Sequence, residues 1–195
     1  MKKLLLILIM AVGCAYSSIS SYETYYVGKG TEIILNENKK IDVTTANKIS
    51  YYVYRESQKH NIDFHFALGI MTTESRFNMK AKSYCGAIGL MQIMPRTARY
   101  IAKIYDIEYT DLYDMETNIQ IGMAYLHRLK KDLGSYELTA AGYNGGKGGA
   151  FKYRDYLMGK RSESDIPKET RNYVPKVMNY TTKYRTYNYE YRLNF

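Results

Sequence analysis

The stretch Ala67-Leu68-Gly69-Ile70-Met71-Thr72-Thr73-Glu74-Ser75 sets a carboxylate among apolar side chains. If it is helical, Ala67, Ile70, Met71 and Glu74 recur at i, i+3, i+4 and i+7 and share one stripe. A carboxylate on a core-facing stripe is costly unless it is paired, hydrogen-bonded or kept protonated. Desolvation and the negative end of the helix macrodipole would both raise its pKa. A carboxyl that keeps its proton near neutral pH can serve as a general acid. Periodicity alone favours a plainer reading, in which Glu74 reaches past the helix end into water or pairs with Arg76.

Downstream lie further polar and aromatic residues in a fixed order. They are Ser83, the block Gly86-Ala87-Ile88-Gly89-Leu90-Met91-Gln92-Ile93-Met94-Pro95, then Asn118-Ile119-Gln120-Ile121-Gly122, Tyr125-Leu126, Tyr143-Asn144 and Glu169-Thr170-Arg171-Asn172-Tyr173-Val174. With Glu74-Ser75, this set resembles the catalytic domain of the soluble lytic transglycosylases, relatives of goose-type lysozyme that cleave bacterial peptidoglycan. The resemblance covers most of the chain between Thr45 and Tyr180 and is carried above all by the Gly-Leu-Met-Gln-Ile-Met-Pro block after the glutamate.

The resemblance implies a mainly α, lysozyme-like domain with a substrate cleft. It implies that Glu74 is the single catalytic acid/base, and that Ser83, Gln92, Tyr143, Asn144 and Tyr173 position the glycan and the glutamate, with Met91 in the cleft wall. These residue types suit a saccharide, which needs amides and hydroxyls for its polar groups and aromatic faces for its rings. The implied reaction cleaves the bond between N-acetylmuramic acid and N-acetylglucosamine and leaves a 1,6-anhydromuramoyl end. It requires no metal or cofactor. One departure is Gly142-Tyr143-Asn144-Gly145-Gly146, where the family usually has Ala-Tyr-Asn-Ala-Gly; the extra glycine costs ordering entropy.

The elements that must position these residues read as helices. Thr44-Thr45 can cap a helix to about Lys59, and Asp63 can cap the next, ending near Ser75. A loop follows over residues 76–88. Pro95 suits a first helical turn, and Asp114 can cap a longer helix with the stripe Ile119, Met123, Leu126, Leu129 and Leu133. Gly134 ends that helix, and Ser135 can cap a short one. Residues 142–149 read as a glycine-rich loop, followed by a helix around 148–158 and a last one from Lys168 into the 180s.

The domain organisation read from the chain is an export signal over 1–14, an arm or tether over 15–43, the catalytic domain over 44–185 and a tyrosine-rich tail over 186–195. The arm shows no sustained helical period, and Glu32-Ile33-Ile34-Leu35 suggests a short extended stretch. The tail repeats Tyr187, Tyr189 and Tyr191 and is expected to pack on the domain. His60, His65 and His127 have no metal-ligand spacing and are expected to be structural.

Charge and the N-terminus bound the partners. The chain has 195 residues and a formal net charge of +9, which favours an anionic partner without choosing one. Met1-Lys2-Lys3 followed by the apolar run Leu4–Val12 and Gly13 has the form of an export signal, too short to span a bilayer. Export disfavours nucleic acid and points to the cell envelope. Ala11-Val12-Gly13-Cys14 resembles a lipobox, with Ala11 in place of the commoner leucine; the resemblance implies lipidation at Cys14 and anchoring at the outer membrane, and the alternative is ordinary signal cleavage near Cys14-Ala15 that leaves a soluble periplasmic or secreted protein. With Cys14 modified or removed, Cys85 is left unpaired. The expected partner is the glycan strand of peptidoglycan, met by a monomer; an envelope-spanning secretion or flagellar machine is a further partner left open. The competing functions are a muramidase that lets water attack and a wall-binding protein without catalysis.

Overall fold

The computed structural model describes residues 21–188, and over this range the chain is helical with irregular connections. Helix α1 covers residues 21–37. It corrects the reading of this segment as an arm with an extended stretch: Ile33 and Ile34 are 1% and 0% exposed. They are built into the hydrophobic core. The same helix is tied to the far end of the chain, with Lys29 Nζ donating to the Arg185 carbonyl at 3.1 Å and Asn36 Nδ2 to the Tyr187 hydroxyl at 2.8 Å. Tyr187 thus packs on the domain, whereas Cys14, Tyr189 and Tyr191 lie outside the described residues.

Helix α2 is Val43–His60. Its cap is Asp42, earlier than the expected threonines: the Asp42 carboxylate accepts from the Thr45 N–H at 2.9 Å. Asp63 caps helix α3, Phe64–Glu74, by accepting from the Phe66 N–H, and Ser75 closes it. Every residue from Phe64 to Thr72 is buried. The helix is therefore not amphipathic but apolar all round, the mark of a central helix. Helix α4, Pro95–Tyr105, begins on its proline, and α5, Met115–Leu133, is capped by Asp114. Along α5 the stripe Ile119, Met123, Leu126 and Leu129 is buried as its spacing predicts.

Ser135 caps α6, Tyr136–Leu157. The expected loop over 142–149 is instead helical, bent at Gly146, whose φ of 67° and ψ of −179° interrupt the helix for one residue. Glycine tolerates that conformation, so the glycine-rich run bends the helix without ending it. A short 3-10 turn, Glu163–Asp165, leads to α7, Lys168–Arg185, which carries Pro175 inside it. Helix α7 packs most extensively on α3, α6 also packs on α7, and α5 lies against both α2 and α6. The buried Thr72 and Tyr184 hydroxyls meet at 2.8 Å across the α3–α7 contact. The central helix therefore delivers Glu74 to a point bounded by α7 and by the segment between α3 and α4.

The histidines are structural in their surroundings. His60 Nε2 lies 3.5 Å from the buried Glu56 carboxylate, and a His127 ring nitrogen contacts the His60 carbonyl at 2.7 Å. Burial holds His65 down at about 4. Cys85 is a free, exposed thiol.

Candidate active site

Glu74 is the last residue of the buried helix α3. Its carboxylate oxygen accepts from the Tyr173 hydroxyl at 2.5 Å. Desolvation pushes the carboxyl up from its ordinary 4.5 to about 7. The Tyr173 hydrogen bond and Lys176 oppose that rise, and Glu169 adds to it. Arg76, one of the two outlets that the plainer reading allowed, forms no ion pair with Glu74. Tyr173 and Tyr143 are held well above the usual phenol range by burial, with the Glu74 charge adding to it. Both phenols therefore remain hydrogen-bond donors at any pH where the carboxyl changes state.

The segment between α3 and α4 is fixed by side chains that act on its backbone. Ser75 Oγ donates to the Leu90 carbonyl at 2.7 Å, which ties the end of α3 to this loop. Tyr143 OH donates to the Met91 carbonyl at 2.7 Å while its ring lies 5.2 Å from that of Tyr125. Asn118 is the hub. Its buried amide accepts from the Met91 N–H at 2.8 Å and donates to the carbonyls of Ile88 and Leu112 at 2.9 and 2.8 Å. Gly89 lets the loop come this close: its φ is +79°, and a Cβ there would lie 2.3 Å from the Asn118 amide nitrogen.

The expected site residues take several different places. Glu74, Tyr143 and Tyr173 come together, joined through interactions with the Glu74 charge. Gln92 adopts a left-handed φ of 48°, and its amide nitrogen donates to the Gly89 and Ala81 carbonyls at 2.9 and 3.2 Å. Those donors brace the loop. Met91 is 0% exposed, so its side chain lies beneath the site instead of forming an open cleft wall. Ser83 Oγ accepts from the Ala87 N–H at 2.9 Å and closes a tight turn. Asn144 bridges α6 to the start of α7, donating to the Glu169 carboxylate and accepting from the Thr170 hydroxyl, both at 2.8 Å. It thereby sets the helix that carries Tyr173.

Sequence reasoning assigned no role to Asn118, Tyr125, Thr170 or Glu169, although all four lie in the motifs. The signal for Asn118 was present: it directly precedes Ile119 of the buried α5 stripe, so its amide had to find buried partners. Among the described residues no group of three His, Cys, Asp or Glu side chains is placed to hold a metal ion.

Against known families, a profile described as transglycosylase SLT domain matches residues 51–166, more than half of the chain. The chain belongs to the transglycosylase SLT domain family. A curated relative of this family, the soluble lytic murein transglycosylase of Escherichia coli K12, is 39% identical over 133 residues, covering 62% of this chain and 20% of the relative. Among solved structures, the 70 kDa soluble lytic transglycosylase SLT70 from Escherichia coli superposes with a TM-score of 0.62 at 33% identity. That match covers 73% of this chain and 27% of SLT70. Lytic transglycosylase Slt from Pseudomonas aeruginosa, solved as an inactive Glu-to-Gln mutant, gives a TM-score of 0.61 at 31% identity over 68% of this chain and 23% of that one. This SLT domain chain thus spans about a fifth to a quarter of the length of these three proteins. The mainly α fold expected from the sequence is the fold of these neighbours.

Proposed function

We propose that this chain is a lytic transglycosylase of peptidoglycan in which Glu74 is the only general acid/base. The observation that carries the reading is the Glu74 carboxyl itself, sheltered at the end of a buried helix, held by Tyr173 and raised to about 7. At neutral pH such a group divides its time between proton donor and proton acceptor, which suits a residue that must do both. The inactive Glu-to-Gln mutant of the Pseudomonas relative supports a glutamate in this role.

In the first step the Glu74 proton passes to the glycosidic oxygen between N-acetylmuramic acid and N-acetylglucosamine, and the C1–oxygen bond breaks. The substrate's own 2-acetamido group stabilises the positive charge at C1. In the second step the ionised Glu74 takes the proton of the same sugar's C6 hydroxyl, whose oxygen bonds to C1. The product is a 1,6-anhydromuramoyl end, Glu74 regains its proton, and no water is consumed. Most glycosidases use two carboxylates. Here Asp111 and Asp114 cap backbone N–H groups, and Glu169 is bound by the Asn144 amide, which favours a single-carboxylate route.

The surrounding residues act as positioning groups in this reading. Tyr173 orients the carboxyl, Tyr143 and Gln92 hold the Met91 loop at the cleft, and Ser83 and Asn144 fix its two sides. The envelope is the place for this substrate, and the export-type N-terminus with Cys14 as a lipid anchor is consistent with it. The test is mass spectrometry of the glycan ends released from purified sacculi. Anhydromuramoyl ends, lost in Glu74→Gln, are the expected result. Reducing muramic ends would establish a muramidase, and binding without release would establish a wall-binding protein.

A further inference from the structure

A second concavity lies at the opposite end of the central helix from Glu74. Tyr22 and Tyr26 of α1, Tyr54 and Gln58 of α2, and Asp63 and His65 at the start of α3 line a cavity of about 310 Å³. That lies within the range of about 300–1,000 Å³ that holds small ligands. Helix α3 runs from Phe64 to Glu74, so at about 1.5 Å per residue its two ends stand about 15 Å apart. The cavity is therefore separate from the acid. Tyr22 and Tyr26 lie outside the 51–166 match to the SLT domain, so this wall is supplied by the chain's own N-terminal helix.

One buried atom here lacks the partner that buried polar atoms normally have. His65 is 8% exposed, and its Nε2 has no hydrogen-bond partner among the described residues. Burial keeps the ring neutral near pH 7, and the Asp63 carboxylate, 3.8 Å from Nδ1, favours the tautomer with the proton on that side. Nε2 is then left with a lone pair that needs a donor. The rings around it brace one another: Tyr26 stacks on Tyr54 with centroids 5.8 Å apart, meets Phe64 edge-on at 5.5 Å and lies 5.9 Å from His65. The Tyr22, Tyr26 and Tyr54 hydroxyls and the Gln58 amide form no hydrogen bond among the described residues. The charges nearby balance. Glu23 acts on Tyr54, and Asp63, Lys29 and Arg185 act on His65. Asp63 is itself held by the Arg185 guanidinium at 3.1 Å.

From this arrangement we infer that the cavity binds a sugar ring and is a second glycan-binding site, remote from the one at Glu74. A sugar ring is uncharged, which suits two acids set against two bases. Its hydroxyls supply the donor that His65 Nε2 lacks and bond the tyrosine hydroxyls and the Gln58 amide, while its C–H face packs on a tyrosine ring. An organic cation would also pack on tyrosines, but Lys29 and Arg185 oppose it. An anion would meet Asp63 and Glu23. A length of strand held here keeps the enzyme on its polymer after each cut. The inference rests on the glycan substrate proposed above.

The test titrates the tetramer of N-acetylglucosamine into the full chain carrying Glu74→Gln, which is expected to bind without cleaving. NMR follows the His65 ring nitrogens for the cavity and the Tyr143 and Tyr173 rings for the catalytic site. The expected result is a saturable shift at His65 Nε2, with its own midpoint, alongside the response at the catalytic site. With Tyr22→Ala and Gln58→Ala added, the His65 midpoint is expected to rise about tenfold, as suits the loss of one ring contact and one hydrogen bond, while the other midpoint stays unchanged. A response at the catalytic site with His65 unmoved, or the same His65 midpoint in both proteins, overturns the inference. Equal rises at both places also overturn it, since the substitutions would then act through the fold. So does a His65 response to tetramethylammonium and none to the sugar, which would assign the cavity to organic cations. No response at either place would instead reject the glycan substrate on which the inference rests.

Discussion

Replacing Glu74 with glutamine should stabilise the protein at neutral pH and leave it unchanged in acid. The fold raises this carboxyl from 4.5 to about 7, chiefly by desolvation. Below about pH 4.5 the group is protonated in both folded and unfolded chains and contributes no difference. As pH rises from there to about 7, the unfolded chain ionises first, so it binds fewer protons than the folded chain and stability falls. At about 1.36 kcal/mol per pKa unit, a rise from 4.5 to about 7 corresponds to about 3 kcal/mol lost by the wild type above pH 7. Glutamine keeps an oxygen to accept from Tyr173 and never ionises, so it recovers most of that loss. Urea unfolding of both proteins at a series of pH values measures the difference directly. The expected gap is near zero at about pH 4 and about 2–3 kcal/mol at about pH 8. A gap that is constant with pH, or one in which the wild type becomes the more stable protein as pH rises, would refute the reasoning.

Three further outcomes follow from individual contacts. Tyr173→Phe removes a hydrogen bond that favours the ionised form of Glu74, so the carboxyl keeps its proton to higher pH. A pH–rate profile should show the alkaline limb moving up by about one pH unit, since a bond to a charged group contributes about 1.5–3 kcal/mol. Asn118→Ala strips partners from the Met91 N–H and from the carbonyls of Ile88 and Leu112. Its cost should be about 3 kcal/mol in chemical denaturation, with a loss of activity exceeding the loss of folded protein. Ile34→Ala should cost about 2–5 kcal/mol in the same assay, as truncation in a packed core does, whereas a loose tether would give no measurable change.

The motifs made the chemistry legible because each pairs a reactive group with the residues that hold it. Glu74 stood out as a carboxylate in an apolar run, and desolvation, one of the two causes the sequence suggests, raises its pKa. The period by which it was noticed was only part of that reason. Helix α3 is buried from Phe64 to Thr72 on all sides, so its polar side chains must find partners on neighbouring helices. The Thr72 hydroxyl, for instance, is matched by Tyr184, which is 112 positions away in the chain.

Helix α1 was missed because local pattern reports only local structure. Ser, Tyr, Gly and Asn are weak helix formers, and β-branched Ile33 and Ile34 suggest a strand when taken alone. What holds the helix is burial of those isoleucines and bonds to Arg185 and Tyr187 at the other end of the domain. The glycine run after Tyr143 misled for a related reason. Glycine disfavours a helix by about 1 kcal/mol per residue, yet packing of α6 on α5 and α7 outweighs it, and only Gly146 leaves helical geometry. Gln92, Ser83 and Asn144 showed themselves as polar residues of a site, but their bonds run to backbone and neighbouring helices. An amide that braces a loop and one that grips a sugar look alike in a sequence.

The central claim is that the fold, by burying Glu74, sets it to hold its proton until neutral pH. Carbon-13 NMR titration of the glutamate side-chain carboxyls, with the Glu74 resonance assigned by its loss in Glu74→Gln, tests this most directly. The account predicts a midpoint of about 7. A midpoint at or below the ordinary 4.5 would contradict it.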